Sequence, residues 1–230
     1  MICLAAPLVA GTVYRNDFQA PPGSSFPEWS GGVYTYTANR AGTVVTGRGT
    51  QKITNVESPN GRQRFLGEFG GPAILTAPPY DPQHFVTVEQ SARLTLNGLA
   101  RHKSVTVSFD LHVLKSWDGN NPNYGPDRWK LSVAGGPTLL DTSFSNNFKT
   151  GAYDLSLQDY PQAGSRPQSG AAAAKTLGYA FFGDSTYHLT FTFPHTAGDL
   201  VLEFSSSLFE GKGTQDESWG LDNVVVSIDQ

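Results

Sequence analysis

The sequence predicts an all-β fold in which two antiparallel sheets pack as a sandwich, and three observations support this. Apolar and polar residues alternate over several stretches, as in strands with one buried face. Turn-forming residues separate these stretches, since the 230 residues include 25 glycines and 15 prolines. Long amphipathic stretches with a helical period are missing from the sequence, and a parallel sheet would need crossover helices.

The predicted strands follow one another along most of the chain. In the longest one, at 104–113, five apolar side chains share one face: Val105, Val107, Phe109, Leu111 and Val113. Roughly ten to twelve strands are expected in all, bounded by Gly, Pro, Asn or Asp. The clearest are 104–113, 129–133, 187–193, 200–204 and 220–228, and shorter candidates are 33–37, 43–46, 64–66, 92–96 and 138–144. The segment 170–177 is alanine-rich but short, which favours a turn or a single helical piece.

Composition limits the classes of partner. One domain, at 12–230, is expected because single all-β sandwiches commonly reach this length. The net charge is −4 with no basic cluster, so nucleic acid is not an expected partner. Cys3 is the single cysteine of this sequence, which excludes an internal disulfide. No stretch of the sequence is long and apolar enough to predict a transmembrane segment.

Residues 1–11 are apolar and end in Val9-Ala10-Gly11, a small-residue pattern that signal peptidase accepts. They are interpreted either as the remnant of a signal peptide or as an N-terminal strand. The first interpretation predicts a secreted or cell-surface protein.

Several motifs resemble a known family. They are Tyr14-Arg15-Asn16-Asp17-Phe18 followed by Trp29, Phe65-Leu66-Gly67-Glu68-Phe69-Gly70, Phe109-Asp110-Leu111 leading into Ser116-Trp117-Asp118-Gly119, and Glu217-Ser218-Trp219-Gly220-Leu221-Asp222-Asn223-Val224. The chain is similar to secreted bacterial jelly-roll proteins of the PEP-CTERM-associated type, and more distantly to family-4-type carbohydrate-binding modules and MAM domains. The resemblance implies an extracellular jelly-roll sandwich, concanavalin-like or galactose-binding-like, that is stabilised by calcium.

In such proteins the first and last strands lie side by side and share a structural calcium ion. The resemblance assigns the ligands here to Asp17 and Asp222, with Gln19 at a position where related modules usually have glutamate. Calcium prefers six to eight oxygen ligands, so a site spread over two strands is chemically reasonable. The alternative is that Asp17 and Asp222 only cap turns.

The polar segment 117–127 is the candidate ligand-binding loop. Aromatic rings beside carboxylate and amide groups are typical of a carbohydrate site. The candidate residues are Trp117, Asp118, Asn120, Tyr124 and Asp127. The alternative is a solvated loop whose Asn and Asp side chains stabilise its own turns. Trp129 opens a predicted strand and is expected in the core, as are Phe109 and Trp219.

Catalytic signatures are weak, and we predict that the chain is not an enzyme. Gly183-Asp184-Ser185 resembles an esterase nucleophile block, but Asp81-Pro82-Gln83-His84 precedes it, which is the wrong order. The five histidines occur singly and do not predict a zinc site.

Two functions remain in competition. One is a non-catalytic extracellular module that binds a polysaccharide or another matrix component. The other is a structural subunit of an extracellular filament or surface assembly, in which the N-terminal segment of one copy adds as a strand to another copy.

Overall fold

The computed structural model describes residues 11–40, 43–74, 86–148, 156–180, 182–196, 198–209 and 212–229. These residues contain one short 3-10 helix, Gly213–Gln215, and thirteen strands. In chain order the strands are β1 (Gly11–Asn16), β2 (Trp29–Arg40), β3 (Thr43–Thr50), β4 (Asn55–Glu57), β5 (Arg64–Phe69), β6 (Val86–Leu99), β7 (Ser104–Lys115), β8 (Arg128–Val133), β9 (Thr138–Ser143), β10 (Ala173–Ala174), β11 (Asp184–Pro194), β12 (Gly198–Leu208) and β13 (Glu217–Asp229).

The strands form two antiparallel sheets that pack as a sandwich, which confirms the predicted fold class. Sheet A has the order β10-β11-β7-β13-β5-β4, and β1 also pairs with β13. Sheet B has the order β3-β2-β6-β12-β8-β9. The chain passes repeatedly between the sheets: β6 and β12 lie in sheet B, whereas the strands that follow them, β7 and β13, lie in sheet A.

The core lies between the sheets and follows the period-2 pattern of the sequence. All five apolar residues predicted to share a face of β7 are fully buried. Phe109, Trp129 and Trp219 are also fully buried, so their predicted core role is confirmed. Trp219 links the sheets directly, because its ring packs on Phe69 of sheet A and its Nε1 donates to Ser206 Oγ of sheet B at 2.8 Å.

Two expectations about short segments have different outcomes. For 170–177 the expectation is a turn or a single helical piece, but the structure has the strand β10 there, because Ala173 and Ala174 pair with Thr186 and Ser185 of β11. Edge pairing with β11 supplies the backbone partners that an isolated short helix could not.

Residues 1–10 lie outside the described residues, so both interpretations of 1–11 stay predictions. Among the described residues, no helix is long and apolar enough to cross a membrane.

Candidate functional site

A polar groove of about 400 Å³ lies on the outer face of sheet B. We call it the serine groove. Its lining comes mostly from outward-facing residues of β2, β6, β12, β8 and β9, because alternate side chains of a strand point to the same face. The lining residues are Val33, Thr35, Glu89, Gln90, Ser91, Arg128, Lys130, Asp141, Glu203, Ser205, Ser206 and Ser207.

Small side chains at the centre of the sheet give the groove its depth. Ser205 of β12 pairs in register with Ser91 of β6 on one side and with Lys130 of β8 on the other. Ser207 pairs in the same way with Glu89 and Arg128. A floor of hydroxyls therefore lies between longer charged side chains on the flanking strands.

Ion pairs order the sides of the groove. Arg128 donates from Nε and Nη2 to Asp141 Oδ1 at 3.1 and 2.8 Å, and its Nη1 lies 3.6 Å from Asp159 Oδ2. Arg93 donates from Nε to Glu203 Oε2 at 2.5 Å. Planar guanidinium groups bound in this way are held in defined positions. Three charged groups of the lining, on Arg128, Asp141 and Glu203, are thus engaged in ion pairs at the sides of the groove.

The predicted loop 117–127 lies near this groove but does not form it. Trp117 has no exposed surface, and its Nε1 donates to the backbone oxygen of Ser218 at 2.8 Å. The predicted sugar-stacking role of Trp117 is therefore corrected to a core role. Asn120 is exposed and donates to Asp159 Oδ1 at 2.7 Å, which connects the loop to Arg128. Tyr124 is half-buried, and a ligand-binding role for Asn120 and Tyr124 stays a prediction.

The other two predicted ligand-binding residues of the loop are buried in an acidic cluster. Asp118, Asp127 and Glu217 each offer a carboxylate oxygen, and these oxygens all lie within 4.8 Å of one another. We call these three residues the carboxylate cluster. The exposures of Asp118 and Asp127 are 4% and 0%, so their expected role as surface partners of a sugar is corrected.

Hydrogen bonds hold the cluster in place. Asp127 accepts the backbone N–H of Asp118 at 2.5 Å and that of Phe209 at 3.0 Å. Asp118 Oδ1 accepts Nδ2 of Asn147 at 2.5 Å and the hydroxyl of Ser156 at 3.2 Å. Burial, followed by the charge of Asp118, raises the pKa of Asp127 well above its ordinary value. Three buried carboxyl groups at this spacing are stabilised by a proton or a cation.

The residues predicted to bind calcium lie at another place, where β1 meets β13. These two strands pair along Gly11–Asn16, as the resemblance implies for the first and last strands. The Nε2 of Gln19 donates to the backbone oxygens of Asp17 and Arg64 at 2.8 and 2.9 Å. Asp222 accepts Nε2 of Gln63 at 2.6 Å.

Asp222 and Asp17 are close enough to interact electrostatically. Burial raises the pKa of Asp222 to about 6, and the charges of Asp110 and Asp17 contribute in the same direction. Calcium binding by Asp17, Gln19 and Asp222 stays a prediction.

Sequence reasoning missed the serine groove and Glu217. The groove had a signal, because Glu89, Ser91 and Arg93 alternate with inward-facing residues, as do Glu203 and Ser205. The predicted strands 92–96 and 200–204 do not include Glu89, Ser91 or Ser205, so sequence reasoning did not bring these polar side chains together. Glu217 had no local signal, since its burial depends on how β13, which begins at Glu217, lies beside the 117–127 loop.

No family model and no curated protein matches the sequence. Among solved structures, a GH31 α-xylosidase from Xanthomonas citri is 9% identical with a TM-score of 0.27, over 86% of this chain and 16% of that chain. The isomalto-dextranase of Arthrobacter globiformis T6 complexed with panose is 11% identical with a TM-score of 0.26, over 96% and 32%.

An infectious bursal disease virus structure, of the Gt strain, is 12% identical with a TM-score of 0.25, over 96% of this chain and 56% of that chain. This chain thus spans less than two thirds of the length of each of these three proteins. Likenesses at these TM-scores carry no inference about function.

Proposed function

We propose that this chain is a non-catalytic extracellular module that binds a glycan of a matrix polymer in the serine groove. The observation that carries the proposal is the row of serine hydroxyls between ordered charged side chains on an open sheet face. Glycans present many hydroxyls, and a site that binds them needs donors and acceptors fixed at defined positions. The groove supplies these from neighbouring strands.

The groove would bind by hydrogen bonding rather than by stacking. Among the residues that the structure describes, none that lines the groove is aromatic. Two of its carboxylates, on Asp141 and Glu203, already accept hydrogen bonds from Arg128 and Arg93. A general acid or base has to reach the reacting group of a substrate, so carboxylates engaged in this way favour binding over hydrolysis.

A structural calcium ion is part of the proposal, and the carboxylate cluster is the better of two candidate places for it. Calcium binds oxygen ligands at about 2.3–2.6 Å, so ligands on opposite sides of one ion lie roughly 5 Å apart. The oxygens of the cluster fall within 4.8 Å of one another. Ligands that are all oxygen favour a hard cation of this kind. The second candidate place is Asp17, Gln19 and Asp222.

Blocking the groove tests the binding function. In Ser205→Tyr a large side chain would fill the floor, while Thr190→Tyr makes a comparable change on an exposed position of β11 in sheet A. We expect the parent and Thr190→Tyr to be retarded by at least one polysaccharide in affinity electrophoresis, and Ser205→Tyr to lose that retardation at an unchanged melting temperature. Retention of binding by Ser205→Tyr, or no binding by the parent across a broad polysaccharide panel, would contradict the proposal.

One observation favours the filament subunit as a second candidate. β3 pairs with β2, and no other described strand pairs with its outer edge. Val44 and Val45 of β3 are 66% and 41% exposed. An edge of this kind is suited to strand addition by another copy. Sedimentation of the parent and of Val45→Lys separates the two functions, because only a filament subunit would assemble with increasing concentration and be disrupted by that change.

A further inference from the structure

Two Asn-Gly dipeptides, Asn60-Gly61 and Asn97-Gly98, occur in the sequence. In such a pair the backbone nitrogen of glycine can attack the side-chain amide carbon of asparagine, because glycine has no Cβ to obstruct the approach. Ammonia leaves, and water then opens the resulting succinimide to aspartate or isoaspartate. Whether a given pair reacts depends on how freely the asparagine side chain can turn towards that nitrogen. The structure places the two pairs in different surroundings.

The dipeptide Asn97-Gly98 lies at an irregular position of sheet B, near the end of β6. Between the two residue pairs at this end of the β6–β12 ladder, both residues of the dipeptide oppose Asp199 alone, which makes a β-bulge. The φ angle of Gly98 is 64°, in the left-handed region. Asn97 is exposed, and its side-chain amide makes no hydrogen bond with any described residue. The amide can therefore turn towards the nitrogen of Gly98 without losing a partner.

A carboxylate contacts the nitrogen that has to attack. Asp199 Oδ1 accepts the backbone N–H of Gly98 at 2.8 Å. A general base has to lie about 2.6–3.2 Å from the atom whose proton it takes. The nitrogen must lose this proton as it forms the new C–N bond, so Asp199 is positioned to receive it. The proton then passes to the departing amide group, which leaves as ammonia.

The other dipeptide has the same two residues but is held in place. Asn60 Oδ1 accepts the hydroxyl of Ser58 at 2.9 Å and the backbone N–H of Arg62 at 3.1 Å. Its Nδ2 donates to the backbone oxygen of Thr176 at 2.7 Å. The nitrogen of Gly61 donates to the backbone oxygen of Ser58 at 2.8 Å, so its acceptor is a carbonyl rather than a carboxylate. Reaction at Asn60 would first break these contacts.

We propose that Asn97 is a site of spontaneous covalent modification, at which Asp199 accepts the proton of Gly98 and Asn97 becomes aspartate or isoaspartate. The reaction consumes water and releases ammonia, and it needs no oxidant and no cofactor. The product adds a carboxylate beside Asp199, where like charges repel. In the isoaspartyl form it also lengthens the backbone of β6 by one atom. The charge at this end of β6 therefore increases with the age of the protein, whatever the serine groove binds.

Peptide mapping by mass spectrometry tests this on the folded parent, incubated over time in neutral buffer. Conversion raises the mass of the peptide that contains the asparagine, and chromatography separates the aspartyl and isoaspartyl forms. We expect both forms to appear at Asn97 at least about tenfold faster than at Asn60, because three hydrogen bonds worth roughly a factor of five each have to break at Asn60. In denaturant the two sites should react at similar rates.

Two outcomes would overturn the inference. One is conversion of Asn60 in the folded chain as fast as that of Asn97. The other is a difference between the two sites that persists unchanged in denaturant, since the sequence and not the structure would then cause it.

The role of the carboxylate is tested by Asp199→Asn, which keeps an oxygen acceptor for the N–H of Gly98 but cannot take its proton. Asp199 is exposed, so the variant should keep the fold, and Asp141→Asn is the matched control in the serine groove. We expect Asp199→Asn to slow conversion of Asn97 at least about tenfold, because general base catalysis typically contributes more than that. Conversion of Asn60 should not change, and Asp141→Asn should match the parent at both sites. Conversion of Asn97 at the parent rate or faster in Asp199→Asn would refute the role of Asp199.

Discussion

The serine groove and the carboxylate cluster both gather acidic side chains, but they compensate the charge in different ways. In the groove, Asp141 and Glu203 lie on a solvent-facing sheet surface, and each accepts hydrogen bonds from an arginine. The cluster is buried, and the described donors to Asp118 and Asp127 are backbone N–H groups, an asparagine amide and a serine hydroxyl.

The difference shows how solvent decides what an acidic side chain needs. On the sheet face, water stabilises the charge, and the arginine mainly fixes its position. Between the sheets, water is excluded, so a carboxylate gains a proton or a cation. The raised pKa of Asp127 reflects this cost, because its first cause is burial. The same residue type therefore suggests ligand binding in one region and metal binding in the other.

The largest expected effect that separates the two regions is the response to calcium. An ion that binds only the folded state at a thousandfold excess over its dissociation constant stabilises that state by about 4.1 kcal/mol. For a domain of this size we expect chelation with EGTA to lower the melting temperature by roughly 8 to 16 °C. Differential scanning calorimetry with calcium and with EGTA measures the change, and elemental analysis measures the bound metal.

Three matched Asp→Asn variants locate the ion. Asp127→Asn should remove most of the calcium-dependent shift, and Asp141→Asn in the groove should retain it. Asp222→Asn should also retain it if the ion is bound by the cluster. Loss of the shift in Asp222→Asn alone would move the site to Asp17, Gln19 and Asp222. A parent that melts identically with calcium and EGTA and contains no metal would refute calcium binding at both places.

The fold could be predicted because its main signal is local. In β7 each second residue is apolar, and the same residues fill the core. The structure also explains the residue types in the motif at 217–224. Trp219 and Leu221 are buried, and Gly220 leaves room for Phe65, whose Cδ2 would lie 2.3 Å from an added Cβ. Such positions tolerate few residue types, so the residues found there help to predict the fold from the sequence.

The candidate site was less predictable because its geometry depends on strand order. Ser91, Ser205 and Lys130 are neighbours only because β12 lies between β6 and β8. Nothing in the spacing of these residues along the chain indicates this order. The loop 117–127 was correctly recognised as unusual in composition, but composition does not tell whether Trp117 and Asp127 point outward or into the core.

The next largest expected effect is the pH dependence of the unfolding free energy that burial of His112 causes. It extends the comparison of buried and exposed charges from carboxylates to a group that is cationic when protonated. Burial lowers its pKa to about 4, although the charge of Asp110 acts in the opposite direction. Between about pH 4 and 6.5 the unfolded chain binds a proton at His112 that the folded chain does not. The stabilisation is therefore present above about pH 6.5 and is lost as the pH falls towards 4, by about 3 kcal/mol in all. Denaturant unfolding at a series of pH values measures it.

The control for this effect is His112→Gln, because glutamine can hydrogen-bond but cannot titrate. The difference in unfolding free energy between parent and variant isolates His112 from Asp222, whose raised pKa gives the opposite slope over an overlapping range. We expect the parent to gain stability relative to His112→Gln as the pH rises from 4 to 6.5. A difference that stays constant over this range would show that His112 is not buried in the neutral form.

The smallest expected effect is at the surface ion pair of the groove. Arg93 and Glu203 meet at 2.5 Å, yet their side chains are 54% and 30% exposed. Exposed pairs contribute only about 0.2–1 kcal/mol, because water and salt screen the attraction and two side chains lose freedom. A double-mutant cycle with Arg93→Ala and Glu203→Ala, followed by denaturant unfolding, should give a coupling within that range that weakens further in 1 M salt. A coupling above about 2 kcal/mol that persists at high salt would mean that the groove shields its charges from solvent, and the contrast with the carboxylate cluster would then fail.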